Sequence, residues 1–214
     1  MRFLAALLAC SVCTGWQSPQ PSRKRTALRA TDAAWQDFWE DLAARPEIRD
    51  AWRRAPCVLK GIAPADALAL EALTQAVDAD PSTLDDAARV AHGATQGWTN
   101  VALDDAARPS RRLRASSSEA SVLLNHGGVA FPSLLGGACR AALDAFEQPV
   151  GLNVYLTGED VAKAAPAHTD RQEVFVVQCA GAKRWRVFAP PHPPLEPDAD
   201  PFARGKGSDV LDER

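Results

Sequence analysis

His168 and Asp170, in the run His168-Thr169-Asp170, are the pair whose types and spacing could hold a metal ion. In an extended backbone, residues two apart point to the same face, so an imidazole nitrogen and a carboxylate oxygen would meet at one point. They are two of the three donors in the 2-His-1-carboxylate set that holds non-haem Fe(II) and leaves positions open for substrate and dioxygen. An isolated His-x-Asp also describes a surface histidine beside an acid, so the pair gains meaning only from the elements around it.

Those elements are β-rich. Glu173 to Cys179 (EVFVVQC), a turn at Ala180-Gly181-Ala182, and Lys183 to Phe188 (KRWRVF) predict a hairpin. Pro190, Pro191, Pro193 and Pro194 then forbid a continuing inner strand. In the second arm Lys183, Trp185 and Val187 share one face, and Arg184, Arg186 and Phe188 the other. A lysine in line with Trp185 and Val187 is drawn toward an apolar interior, where an uncompensated charge is costly. It therefore calls for a carboxylate partner, from the protein or from a ligand. The alternative is a lysine at the solvated end of the strand, its stem covering apolar surface. Upstream, Gly151 to Thr157 predicts a strand with Asn153 and Tyr155, the single tyrosine of the chain, on one face.

Taken in order, Asn153-x-Tyr155-x-Thr157, His168-x-Asp170 and Val174-Phe175-Val176-Val177-Gln178-x-x-Gly181-x-Lys183-x-Trp185 resemble the JmjC pattern of ribosomal oxygenases and related cupin-like protein hydroxylases. Lys183 follows Asp170 by 13 positions, the separation the resemblance calls for between carboxylate ligand and co-substrate lysine. The dense part covers about forty residues; Pro56 to Gly61 and Val122 to Phe146 resemble lead-in elements more loosely. The resemblance implies an α+β chain with a double-stranded β-helix (jelly-roll, cupin type) preceded by helices. It implies Fe(II) on His168 and Asp170, and 2-oxoglutarate as co-substrate with its distal carboxylate on Lys183. Asn153 and Tyr155 would line the co-substrate pocket, with ordinary barrel packing as their other reading. The implied activity is a 2-oxoglutarate-dependent oxygenase acting on a protein or peptide, by hydroxylation or N-methyl-lysine demethylation. The alternatives are a non-catalytic JmjC-like binding or assembly module, and a metal-binding cupin for a different small acid.

The resemblance also calls for a second histidine ligand on a later strand. After His168 the chain has only His192, 22 positions beyond Asp170 and set in Pro190-Pro191-His192-Pro193-Pro194, a loop composition. The expectation is a domain incomplete after Arg214, with weak iron binding and no robust turnover by residues 1–214 alone.

The rest of the chain must position these residues. With 214 residues there is room for one ordinary domain and an extension. Residues 1–31 hold five basic residues and no acid, and an apolar run from Phe3 to Val12 follows Arg2. That reads as a targeting presequence or a disordered leader, directing the protein to the secretory pathway or a plastid, whereas the family resemblance suggests the nucleus. Residues 32–214 would form the domain, with a helical lead-in to about 120 and the barrel portion from about 121 to 190. Thr31 or Asp32 can cap a helix whose face is Trp35, Phe38, Trp39 and Leu42, ended by Pro46. Cys57 to Leu59 predicts a short strand, Pro64 a helix start running through Leu68, Leu70, Leu73 and Val77 to Asp80, Ser121 to Leu124 a strand, and Leu134 to Phe146 a helix.

Several classes are excluded by composition. Net charge is −3, and the arginine-rich run from Arg108 to Ser118 lacks interleaved aromatics, so it predicts a solvated loop and no clear nucleic-acid site. Five cysteines without repeated spacing argue against a disulfide framework or zinc module. No apolar run approaches the roughly 20 residues of a membrane span. Nothing in the sequence sets the oligomeric state.

Overall fold

The computed structural model describes residues 5–12, 30–52, 54–64, 68–80, 88–91, 99–100, 120–159, 161–162, 164–165, 168, 170 and 172–188. The spacing of Trp35, Phe38, Trp39 and Leu42 produces helix α1 (Ala30–Ala44), and all four are buried. Pro46 cannot continue that helix as an interior residue but suits a helix start, and α2 (Pro46–Ala51) begins on it. Helix α3 (Leu70–Ala79) buries Leu73 and Val77 and stops at Asp80, as the Asp80-Pro81 pair predicts. It starts later than the Pro64 signal suggested. Cys57 to Leu59 is not a strand: Cys57 and Val58 are exposed, Val58 by 80%, and no ladder partner among the described residues holds the segment.

Among the described residues six strands make one sheet: β1 (Ala5–Val12), β2 (Ala88–Ala91), β3 (Thr99–Asn100), β4 (Ser121–Leu124), β5 (Val150–Thr157) and β6 (Glu173–Gln178). Their order is β3-β2-β4-β5-β1-β6, and every ladder is antiparallel. Helices α4 (Gly127–Ala130) and α5 (Pro132–Phe146) connect β4 to β5. Strand β1 lies between β5 and β6. The second arm of the expected hairpin does not form: Lys183 to Phe188 has no ladder among the described residues, and Trp185, Val187 and Phe188 are more than half exposed. A strand needs a neighbour to pair its N–H and C=O groups, and among the described residues none is placed beside it. The Arg108–Ser118 run and His192 lie outside the described residues.

On β5, alternation puts Leu152, Val154 and Leu156 into the core and Asn153 and Tyr155 on the opposite face. Thr157 and Ser121, opposite each other on β5 and β4, are buried polar residues whose hydroxyls share a 2.7 Å hydrogen bond. Between sheet and helices lies an aromatic cluster. Phe146 of α5 meets Trp39 edge-on at 6.0 Å, stacks on Trp52 at 6.3 Å and touches Phe175 of β6 at 4.8 Å. Phe175 also meets Trp39 and Trp52, each at 5.8 Å, so the helices grip the strand that leads to Lys183. Close approach of α1 to α5 depends on Gly137: a Cβ there would run into the Asp32 side chain.

Helix α5 ends on Glu147 in the left-handed region (φ 53°), with its N–H donating to the Leu143 carbonyl. That conformation costs a residue with a Cβ about 1–2 kcal/mol, partly offset in a glycine by its freer unfolded chain. Glu147→Gly should therefore stabilise the protein by about 0.5–1 kcal/mol, read as a higher denaturant midpoint with unchanged slope. An unchanged or lower midpoint would show that the Glu147 side chain contributes more than its backbone costs.

Candidate functional site

Asn153 and Tyr155 occupy the half-buried face of β5, and everything else in the site gathers round Tyr155. The Asn153 side chain is held at one end by the His126 backbone N–H, which donates to Asn153 Oδ1 at 3.2 Å. His126 itself sits in the left-handed region (φ 54°), the turn that joins β4 to α4. At its other end Asn153 hydrogen-bonds to Tyr155. Burial pushes the Tyr155 phenol above its ordinary pKa, the Asp170 charge pushes it further, and the Asn153 hydrogen bond works against both. Tyr155 is thus a neutral hydroxyl near neutral pH, and Asp170 lies close enough for its charge to be felt there.

Asp170 pairs with His168 across 3.6 Å between Oδ2 and Nε2. Each side chain keeps roughly a quarter to a third of its surface open, 30% for His168 and 26% for Asp170, so a ligand can reach both. Two donors this close can share one first-row cation, because bonds of about 2.1 Å span up to roughly 4 Å between donor atoms. The donor set, one imidazole and one carboxylate, suits Fe(II). Among the described residues no group of three His, Cys, Asp or Glu side chains converges, so these two are the metal donors the structure places together.

Lys183 reaches the same place from the far side. Gly181, at φ 65°, turns the chain after β6, and Lys183 two residues on puts Nζ 5.8 Å from the centre of the Tyr155 ring. That is a cation–π distance. Burial lowers the Lys183 pKa to about 8, and among the described residues no carboxylate pairs with it. The sequence offered a choice between a lysine awaiting an acid and one snorkelling to solvent. The ammonium is half-buried and lies over an aromatic ring.

All five residues singled out from sequence are therefore neighbours of Tyr155 or of one another: Asn153, Tyr155, His168, Asp170 and Lys183. His126 was not legible as part of the site. It acts through its backbone N–H, which carries no side-chain signal; only a turn position before Gly127-Gly128 hinted at it.

A sequence profile of the JmjC domain matches residues 138–209, a stretch that includes all five. Over 54 residues the chain is 48% identical to the bifunctional lysine-specific demethylase and histidyl-hydroxylase NO66 of Drosophila mojavensis, covering 25% of this chain and 6% of that protein. The corresponding Drosophila grimshawi protein is 46% identical over 59 residues, 28% of this chain and 8% of its own length. Ribosomal oxygenase 2 of Rattus norvegicus is 44% identical over 48 residues, 22% of this chain and 10% of its own. The chain thus spans a tenth or less of the length of these three relatives. No solved structure gives a significant match. Through the segment that carries His168, Asp170 and Lys183, the chain is similar to the JmjC domain and to these ribosomal-oxygenase-like relatives.

Proposed function

We propose that this protein is an Fe(II)- and 2-oxoglutarate-dependent oxygenase of a protein side chain, acting as a hydroxylase or an N-methyl-lysine demethylase. The observation that carries it is Lys183: a half-buried ammonium with no acid of its own among the described residues, set over Tyr155 beside the His168–Asp170 pair. A desolvated cation of this kind is completed by an anionic ligand. A dicarboxylate that reaches from Lys183 to a metal on His168 and Asp170 satisfies both ends. The relatives' names, a demethylase and histidyl-hydroxylase and a ribosomal oxygenase, support a protein substrate.

Each residue then has a task. Lys183 binds the distal carboxylate and fixes the direction of the co-substrate. Tyr155 walls the pocket and offers a neutral hydroxyl, while Asn153, oriented by the His126 N–H, holds that hydroxyl in place. His168 and Asp170 would hold Fe(II), which with 2-oxoglutarate and dioxygen supplies the oxidising chemistry, consuming the oxoacid to succinate and carbon dioxide. The double-stranded β-helix belongs to this reading as well, with the sheet bearing Asn153 and Tyr155 as one of its two walls.

Asp170→Asn should reduce Mn(II) affinity, measured by calorimetry as a redox-inert substitute, by at least about tenfold, and His168→Ala likewise. Unchanged affinity in both variants would remove the metal site from the account. A second reading, a JmjC-like module that binds without turnover, is favoured by the convergence of only two metal donors among the described residues. Iron-dependent succinate formation by the full chain excludes it.

A further inference from the structure

We propose that Gln178 is a positioning residue for Lys183: its side-chain amide fixes the Ala180–Gly181 peptide plane, and that plane sets where the lysine points. Strand β6 ends at Gln178, and five positions on, Lys183 stands over the Tyr155 ring. Between them the chain turns at Gly181, with φ 65°. The half-buried Gln178 donates from Nε2 to the Ala180 carbonyl oxygen at 2.6 Å. Cys179 and Ala180 are partly buried and pack against the hydrophobic core, and the Cys179 thiol donates to the Val177 carbonyl at 3.6 Å. Packing thus anchors the start of the turn, and Gln178 holds its last peptide plane before the glycine.

A glycine at position 181 permits this turn without selecting it. Glycine takes φ above and below zero about equally readily, so the positive value needs a cause outside the residue. The peptide plane before it has two orientations that leave the flanking chain nearly in place. They are related by opposite changes in ψ of Ala180 and φ of Gly181, the difference that separates type I from type II turns. In the observed orientation the Ala180 oxygen accepts from Gln178, and Gly181 is held at positive φ. Lys183 follows only two residues later, so the dihedral held at Gly181 carries directly into the course of its side chain. Without the amide donor both orientations become open to the glycine, and only one of them is known to bring the ammonium over Tyr155.

The positioning claim stands on the turn, while its consequence for 2-oxoglutarate rests on the oxygenase reading above. Gln178→Met in the full chain keeps the length of the side chain and removes its donor. Carbon-13 NMR of the Lys183 side chain should show its titration midpoint move from about 8 toward 10.5, as the released ammonium gains solvent. A merely structural role would lower the denaturant midpoint and leave that titration in place; an unmoved Lys183 midpoint in the folded variant overturns the proposal. If the aimed conformer falls to between about a tenth and a third of the population, 2-oxoglutarate affinity drops about three- to tenfold. In a Lys183→Met background the same substitution should cost nothing further, and an equal loss there would show that Gln178 does not act through the lysine. Failure of the unaltered protein to bind 2-oxoglutarate would sink the oxygenase reading and leave the titration to decide this one. Should Gln178→Met not fold, the unaltered protein still decides: the Gln178 side-chain amide protons should be protected from solvent exchange, and exchange at the rate of free glutamine would contradict the proposal.

Discussion

Lys183→Met should lower 2-oxoglutarate affinity by about 10- to 150-fold, the loss of one charge-assisted hydrogen bond worth roughly 1.5–3 kcal/mol. Methionine keeps the apolar stem and its packing near Tyr155 while removing the ammonium, so the fold should survive. Thermal stability at neutral pH should not fall, because the substitution also removes a desolvated charge. The pH dependence gives the claim a sign. The free protein's Lys183 titrates at about 8, and a bound carboxylate favours the ammonium and raises that value in the complex. The contribution of Lys183 to binding is therefore fully present below about pH 8 and weakens as pH rises above it. Folding runs the other way. The folded pKa lies below the ordinary 10.5, so between about 8 and 10.5 the unfolded chain holds the proton more tightly and stability rises with pH. Calorimetric titrations from pH 6.5 to 9.5 would show the loss of affinity, and its absence in Lys183→Met. Equal affinity for protein and variant across that range would mean that the lysine does not hold the co-substrate.

Phe146→Ala should cost about 3–5 kcal/mol in unfolding free energy, a large part of the 5–15 kcal/mol that a domain typically possesses. Phe146 is fully buried and is the ring on which Trp39, Trp52 and Phe175 meet. Its removal takes away buried area and leaves a cavity that rings fixed on a helix and a strand fill only partly. Because Phe175 belongs to β6, the loss should extend to the Lys183 side of the site. Chemical denaturation checks the first effect, and amide exchange in β6 against β4 checks the second. A loss below about 1 kcal/mol would show that the cluster is loosely packed.

The residues that could be read from sequence are those whose periodicity and chemistry agree. The stripe Trp35-Phe38-Trp39-Leu42, the alternation of β5 and the apolar run of β6 each allow one structural solution, and each became the predicted element. His168 and Asp170, two positions apart, lie within 3.6 Å of each other. Long-range pairing was not legible. The apolar composition of Phe3 to Val12 does not encode the pairing of Ala5–Val12 with β5 and β6. Lys183 to Phe188 has the alternation of a strand, but alternation supplies no neighbour, and its arginines and aromatics remain exposed. β2 and β3, four and two residues long, carry too short a pattern to be seen. The stacking of Lys183 on Tyr155 depends on how the Gly181 turn folds back on β5, which spacing along the chain does not encode.

The central claim is that one small dicarboxylate links Lys183 to a metal held by His168 and Asp170. Its most direct test is 2-oxoglutarate binding by calorimetry with and without Mn(II), in the full chain, Asp170→Asn, Lys183→Met and the double variant. The account predicts that Mn(II) tightens binding in the unaltered protein and that Asp170→Asn abolishes this gain. It also predicts that the two substitutions are non-additive, as for groups joined through one ligand. Binding that is indifferent to Mn(II), or that survives both substitutions unchanged, would contradict it.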